Sequence, residues 1–214
     1  MTESINAVFK IMYRGTQGTG AFYEDVDMHN QKHSLFITCN HVVPSNSIKD
    51  ILDFMQIFYP QIGASNDNTL LVLKHEHLLR CWTRYCYCID ATVIELSAEG
   101  EEYLRSLKIA FLKTSNGELN KPVAILQIPE GQPMFAYGSI SAVQESLLFY
   151  QIATAPGSSG APLLNQNCEA VAIHRAADPT NADGVNSLTQ QPDLPRKGSG
   201  LRDIIKTFIN EVKA

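Results

Sequence analysis

The chain has 214 residues, 44% of them hydrophobic and 18% charged, which supplies a sizeable core and too little charge for a disordered chain. Lys plus Arg number 17 against 22 for Asp plus Glu, and the net charge of -5 supplies no general pull toward nucleic acid or an anionic membrane, leaving only a local basic patch open. The longest uninterrupted apolar run, the five residues Tyr85 to Ile89, is far short of the ~20 that cross a bilayer.

The amino terminus, Met1-Thr2-Glu3-Ser4-Ile5-Asn6, carries neither a basic n-region nor an apolar h-region, so an intracellular protein (cytoplasm or nucleus) without a secretory signal is expected. A first strand is expected at Val8 to Tyr13, where period 2 puts Phe9, Ile11 and Tyr13 on one face and Lys10 on the other. The breaker-rich Arg14-Gly15-Thr16-Gln17-Gly18-Thr19-Gly20 ends it. Strand-like runs follow at Ser34 to Thr38, Thr69 to Leu73, Ala91 to Ile94, Pro122 to Leu126 and Ala170 to Ile173. Turn-forming or polar residues close each run, which makes an all-β barrel or sandwich the natural class.

Two stretches depart from that pattern. After Ser97, Tyr103, Leu104 and Leu107 share a helical face opposite Glu101, Glu102, Arg105 and Lys108, although Gly100 weakens the helix. Near the end, Leu201, Ile204, Ile205, Phe208, Ile209 and Val212 form one apolar stripe at helical spacing, with Arg202, Lys206 and Glu211 outside it. Between them, the polar stretch from Asp178 to Gly200 reads as a long loop.

The sharpest chemical signal is Ala155-Pro156-Gly157-Ser158-Ser159-Gly160-Ala161-Pro162 between two strand-like runs. A serine hydroxyl is a weak nucleophile and needs a base for its proton and donors for the developing oxyanion. Glycines beside it let backbone N–H groups converge on one small pocket. Alone, the string reads more readily as an ordinary turn. A base is available in Phe36-Ile37-Thr38-Cys39-Asn40-His41-Val42-Val43, where His41 stands just past an apolar strand and is by itself also consistent with a structural histidine. An acid to fix its tautomer is available in Asp90, at the start of Ala91-Thr92-Val93-Ile94, which in isolation passes as a turn residue or cap.

Together, the order His41, Asp90, Ser159 is that of the chymotrypsin-type triad. The sequence here resembles trypsin-like serine peptidases, particularly the intracellular branch that includes the HtrA proteases, and also the trypsin-like domain of vertebrate proteases acting on DNA–protein crosslinks during replication. The matching stretches are Gly18-Thr19-Gly20-Ala21-Phe22, Ile37 to Val43, Asp90 to Val93, Gly157 to Pro162 and Val171-Ala172-Ile173-His174, which span most of the chain. The resemblance implies a chymotrypsin-like double β-barrel with a C-terminal helix. About 1–108 would form the first barrel, about 109–200 the second, and 201–213 the helix. It also implies a catalytic set of His41, Asp90 and Ser159, an oxyanion hole at Gly157 and Ser159, and substrate contacts at His174 and Ala153. The implied partner is a protein or peptide substrate, with no membrane and no cofactor.

Departures from the family pattern carry information. Ser158 stands where trypsins have Asp, which also leaves Ser158 as an alternative nucleophile. Ala161 replaces the second Gly, and no Ile-Val-Gly-Gly amino terminus is present, so the peptidase is expected to form without zymogen cleavage and to need a substrate or activating partner to order its oxyanion loop. Ala153 replaces the trypsin Asp six residues before the nucleophile, which leaves a Lys or Arg preference unsupported. In glutamate- or glutamine-cleaving relatives a histidine at the position of His174 contacts the substrate side chain; a satisfied structural histidine is the other reading.

Five cysteines, an odd number with Cys81, Cys86 and Cys88 crowded together, argue for reduced thiols over a disulfide framework. With His75-Glu76-His77 they also offer zinc-type ligands, but Cys-x4-Cys-x-Cys is not a usual knuckle, so no metal is expected. A catalytically silent peptidase fold used as a binding module is the alternative to a working serine endopeptidase, and a zinc-dependent interaction domain is third.

Overall fold

The computed structural model describes residues 2–26, 30–60, 69–177 and 196–212. The expected long loop from Asp178 to Gly200 lies outside the described residues as far as 195, and its last five residues, Arg196–Gly200, are strand and not loop, paired on both sides within a sheet. A short helix α1 (Thr2–Ile5) leads into β1 (Val8–Tyr13), in which Phe9, Ile11 and Tyr13 are buried and Lys10 is half-buried, as alternation requires. The Arg14-Gly15 turn, with φ of 47° and 87°, is the left-handed pair that a two-residue hairpin needs. The chain then turns straight into β2 (Thr16–Val26), so the glycine-rich run expected to be only a breaker is largely strand. Its glycines are there for close packing: a Cβ on Gly20 would lie 2.3 Å from the Phe36 ring.

Six more strands complete the first sheet: β3 (Lys32–Thr38), β4 (Met55–Phe58), β5 (Leu70–Leu71), β6 (Leu78–Tyr85), β7 (Asp90–Leu96) and β8 (Leu112–Lys113). Their order is β5-β4-β1-β2-β3-β7-β6, with β8 added in parallel to β2, so this half is an open, half-barrel sheet. Every residue of β7 is buried, and its polar members Asp90, Thr92 and Glu95 are held by hydrogen bonds to His41, Val43 and His33, respectively. The expected strand at Thr69 to Leu73 shrinks to two residues at the sheet edge, where Leu70 and Val72 are exposed.

Helix α2 (Ile48–Phe54) is capped by Ser47, and α3 (Ala98–Ser106) by Ser97, whose hydroxyl accepts from Gly100 N–H at 3.0 Å. Gly100 is required there because a Cβ would lie 2.2 Å from the His77 carbonyl. The second half is a closed six-stranded barrel in the order β10-β11-β14-β13-β12-β9. Its strands are β9 (Pro122–Gln127), β10 (Met134–Gln144), β11 (Leu147–Tyr150), β12 (Pro162–Leu164), β13 (Ala170–Ala177) and β14 (Arg196–Gly200).

The closing helix α4 (Leu201–Val212) leaves β14 of the barrel and buries Leu201, Ile204, Ile205 and Phe208 in a core that joins the first sheet to Leu126, Leu164 and Ile173 of the barrel. Phe208 packs edge-on to Trp82 at 6.2 Å, and Trp82 Nε1–H donates to Glu211 at 2.8 Å. The helix therefore straps the two halves together. Among the described residues, no helix is long and apolar enough to cross a membrane.

Candidate active site

At the end of β3 the chain makes a tight turn in which the N–H groups of Val42 and Val43 both donate to the Cys39 carbonyl. Val42 and Val43 are buried, which pins the turn and leaves the His41 side chain outward, 39% exposed. Asp90, the first residue of β7, is only 2% exposed. Its carboxylate accepts twice from one residue: His41 N–H donates to Oδ1 at 3.0 Å and Nδ1 to Oδ2 at 2.6 Å. A carboxylate acceptor fixes the proton on Nδ1 and leaves Nε2 as the basic nitrogen. The first sheet thus supplies a histidine held and oriented by a buried carboxylate.

The serine turn lies between β11 and β12 of the barrel. Ser158 N–H donates to the Ala155 carbonyl at 3.1 Å, Pro156 stands at the second position, and Gly157 at the third has φ +88°. That is the signature of a type II turn, whose third residue must be left-handed. Ser158 is 1% exposed, and its hydroxyl packs against the Gln127 side-chain oxygen and, at 2.5 Å, the Ala155 carbonyl. A buried, engaged hydroxyl is poorly placed to attack a substrate, which weighs against Ser158 as nucleophile. Ser159 is half-buried.

Both halves of the molecule hold this turn. From β2, the Thr19 hydroxyl donates to the Gly157 carbonyl at 2.8 Å and Thr19 N–H donates to the Ser159 carbonyl at 2.8 Å. From β13, the His174 carbonyl accepts from Gly160 N–H at 2.8 Å. Gly160 has φ +90°, and a Cβ there would lie 2.0 Å from the Thr19 carbonyl, so no other residue fits. Among the described residues, the N–H groups of Gly157 and Ser159 donate to no protein acceptor. Two unengaged donors flanking a half-exposed hydroxyl can receive an oxyanion. No hydrogen bond joins Ser159 Oγ to His41 among the described residues, a looseness common in sites without substrate.

His174, on β13, is 4% exposed, and its Nδ1 lies 2.6 Å from the Tyr150 hydroxyl. Ala153 is exposed, and its carbonyl accepts from Gln127 Nε2 at 3.5 Å. Neither Tyr150 nor Gln127 stands out in the sequence. The same holds for Arg175, whose Nε lies 3.5 Å from Asp90 Oδ2; its one signal is a charged residue directly after His174 in an apolar run. Among the described residues, the only three potential metal-ligand groups brought within 4.8 Å of one another are Cys39, His41 and Asp90, not the cluster around His75 and Cys86. Burial pushes the Cys39 thiol well above its ordinary range, and its S–H is spent on the His174 carbonyl at 3.2 Å, so this trio is a poor metal site.

The family described as trypsin-like peptidase domain matches residues 18–173. No curated protein matches the chain. Among solved structures, a Glu endopeptidase is similar at TM-score 0.64 and 16% identity, over 98% of this chain and 91% of that one. The Rv3671c protease of M. tuberculosis in its inactive form is similar at TM-score 0.59 and 13% identity, over 98% of this chain and 90% of that one. A serine-to-alanine mutant of the same protein gives TM-score 0.59 and 12% identity, over 98% and 88%. At these identities the likeness establishes the chymotrypsin-like fold.

Proposed function

The chain belongs to the trypsin-like peptidase domain family, and from that premise we propose that it is a serine endopeptidase that cuts proteins through an acyl-enzyme intermediate. The observation that carries the reading is the Asp90-oriented His41 beside a serine turn with two unengaged N–H groups. In the proposed mechanism, His41 Nε2 takes the Ser159 proton as Oγ attacks the scissile carbonyl, then delivers it to the leaving amine. Asp90 holds the Nδ1–H tautomer and stabilises the imidazolium. The Gly157 and Ser159 N–H groups receive the oxyanion; losing one such donor typically costs ~10² to ~10³ in turnover.

His174, held by Tyr150, is proposed to meet the side chain of the residue before the cut, and Ala153 brings no acidic group that would select Lys or Arg. A substrate or partner that brings Ser159 Oγ onto His41 would complete the site. All five cysteines are free, which supports an intracellular, thiol-reducing setting.

The missing Ser159–His41 hydrogen bond favours one second reading, a silent peptidase fold that only binds. Turnover of an unstructured protein such as casein, with candidate activators present, separates the two. The parent chain is expected to cleave it and Ser159→Ala to have lost cleavage while still folding; cleavage that persists in Ser159→Ala, or never occurs in the parent, contradicts the peptidase reading.

A further inference from the structure

We infer that Cys86 and Cys88 form a dithiol that oxidises to a disulfide and thereby disturbs the hairpin turn holding Asp90. The consequence for turnover rests on the peptidase reading; the thiol chemistry does not. Strands β6 and β7 pair down to Tyr85 opposite Asp90, and Cys86 N–H donates to the Ile89 carbonyl at 2.7 Å, so residues 86–89 are the connecting turn. Within it the two sulfurs lie 3.4 Å apart, both half-buried, and Ile89 N–H donates to Cys86 Sγ at 3.3 Å. The flanking Tyr85 and Tyr87 are largely exposed, so the turn is open to small reagents.

What couples this turn to the site is Arg175. Its guanidinium donates to the Tyr87 carbonyl at 2.6 Å and the Cys86 carbonyl at 3.0 Å, lies over the Tyr85 ring, and brings Nε to 3.5 Å from Asp90 Oδ2. One side chain from the second barrel therefore reads the orientation of the Cys86–Cys88 backbone and touches the carboxylate that orients His41. A disulfide needs an S–S length of ~2.05 Å, so the sulfurs, 3.4 Å apart, must approach by about 1.3 Å, turning the two carbonyls that hold Arg175. The bond also weakens Cys86 Sγ as acceptor for the Ile89 N–H, next to Asp90.

The thiols differ in reactivity from the other cysteines. Burial pushes Cys81 up to about 12 and Cys39 well above its ordinary range, which makes both inert. For Cys86, burial also acts upward, but hydrogen bonds from the Cys88 thiol, the Ile89 and Cys88 N–H groups and the Arg84 side chain outweigh it and leave the thiol below its ordinary value. Burial and the neighbouring Cys86 raise Cys88. This is the pairing of an attacking and a resolving thiol. With a low-molecular-weight disulfide of the glutathione class as oxidant, the Cys86 thiolate attacks one sulfur and expels one thiolate, giving a mixed disulfide. Cys88, losing its proton to solvent, then attacks Cys86 Sγ and expels the second, so two protein thiols are oxidised and one small disulfide becomes two thiols.

The test treats the full chain with glutathione disulfide and reads three things. Peptide mapping is expected to find a Cys86–Cys88 bond, with a mass loss of about 2 Da that dithiothreitol reverses. The low-field proton resonance of the His41 Nδ1–H bonded to Asp90 is expected to shift or vanish on oxidation, and any turnover to fall by about tenfold to about 100-fold, the scale of a 1 Å misplacement. Neither Cys86→Ser nor Cys88→Ser can form the internal bond: Cys86→Ser is expected to keep the resonance, and Cys88→Ser, which retains the attacking thiol, to stop at a glutathione adduct on Cys86; if either fails to fold, the mapping and resonance of the parent chain still decide. In the parent chain, glutathione adducts without the internal bond, or the internal bond with an unchanged resonance, overturn the inference. A reduced chain with an intact resonance that never turns over substrate instead removes the peptidase reading and leaves this one standing.

Discussion

Ser158 and Ser159 are neighbours with opposite proposed duties, and each should fail in its own way. Ser159 Oγ makes no hydrogen bond among the described residues, so Ser159→Ala is expected to change stability by less than ~0.5 kcal/mol while removing turnover. Ser158→Ala strips the buried Gln127 oxygen of a partner and is expected to cost about 1–3 kcal/mol, measured by urea unfolding, and to lower turnover by loosening the type II turn. A stability loss in Ser159→Ala with none in Ser158→Ala would reverse these assignments. Asp90→Asn keeps the volume but offers an amide that no longer favours the Nδ1–H tautomer, and turnover is expected to fall about 10⁴-fold with the fold intact by circular dichroism. The residues proposed as nucleophile, base and acid are legible in the sequence, because each stands out by residue type and by the strand end or turn that it occupies. Thr19, Gln127 and Arg175 do not, since each acts through hydrogen bonds to residues up to 138 positions away that no local pattern encodes.

Among the elements, α4 is the one whose sequence reading and role diverge most. Its stripe from Leu201 onward predicts a packed helix, and α4 is one, but nothing in the stripe says that the helix reaches from the barrel to Trp82 of the other half. Phe208 is fully buried beneath Trp82 with the Arg80 guanidinium 5.5 Å above its ring, so Phe208→Ala is expected to cost about 3–5 kcal/mol in urea unfolding. A cost under ~1 kcal/mol would mean that the helix does not strap the halves. The strands missed in the sequence, among them β2, β10 and β14, carry glycines or polar residues where the alternation is read, and owe their place to their neighbours in the sheet.

Helix α3 is tied to β2 and β3 by charge as well as packing. Glu101 is opposed by its own partial burial, but bonds from Lys32, Ser34 and Arg105 outweigh it and hold the carboxyl down at about 2. A depressed carboxyl stabilises the fold above its ordinary value and loses that contribution as pH falls through the depressed one. Glu101→Gln is therefore expected to be less stable than the parent chain by about 1–2 kcal/mol near pH 6, after allowing for solvent screening, with the gap closing between about pH 4 and about pH 2. A gap that stays constant across that range would show that the carboxylate charge is not what matters.

For the molecule as a whole, an open half-barrel and a closed barrel meet at the serine turn, with Thr19 gripping it from one side and His174 from the other. The order of His41, Asp90 and Ser159 along the chain implied two halves sharing one cleft. It did not imply that the first would stay open, which follows from β5 being only two residues long and unpaired with β6. The central claim is that this junction makes Ser159 a nucleophile, and mass-spectrometric mapping of a fluorophosphonate adduct tests it most directly. The account predicts an adduct on Ser159 that forms in the parent chain and disappears in His41→Ala; an adduct on Ser158, or none in a folded parent chain with candidate activators present, would contradict it.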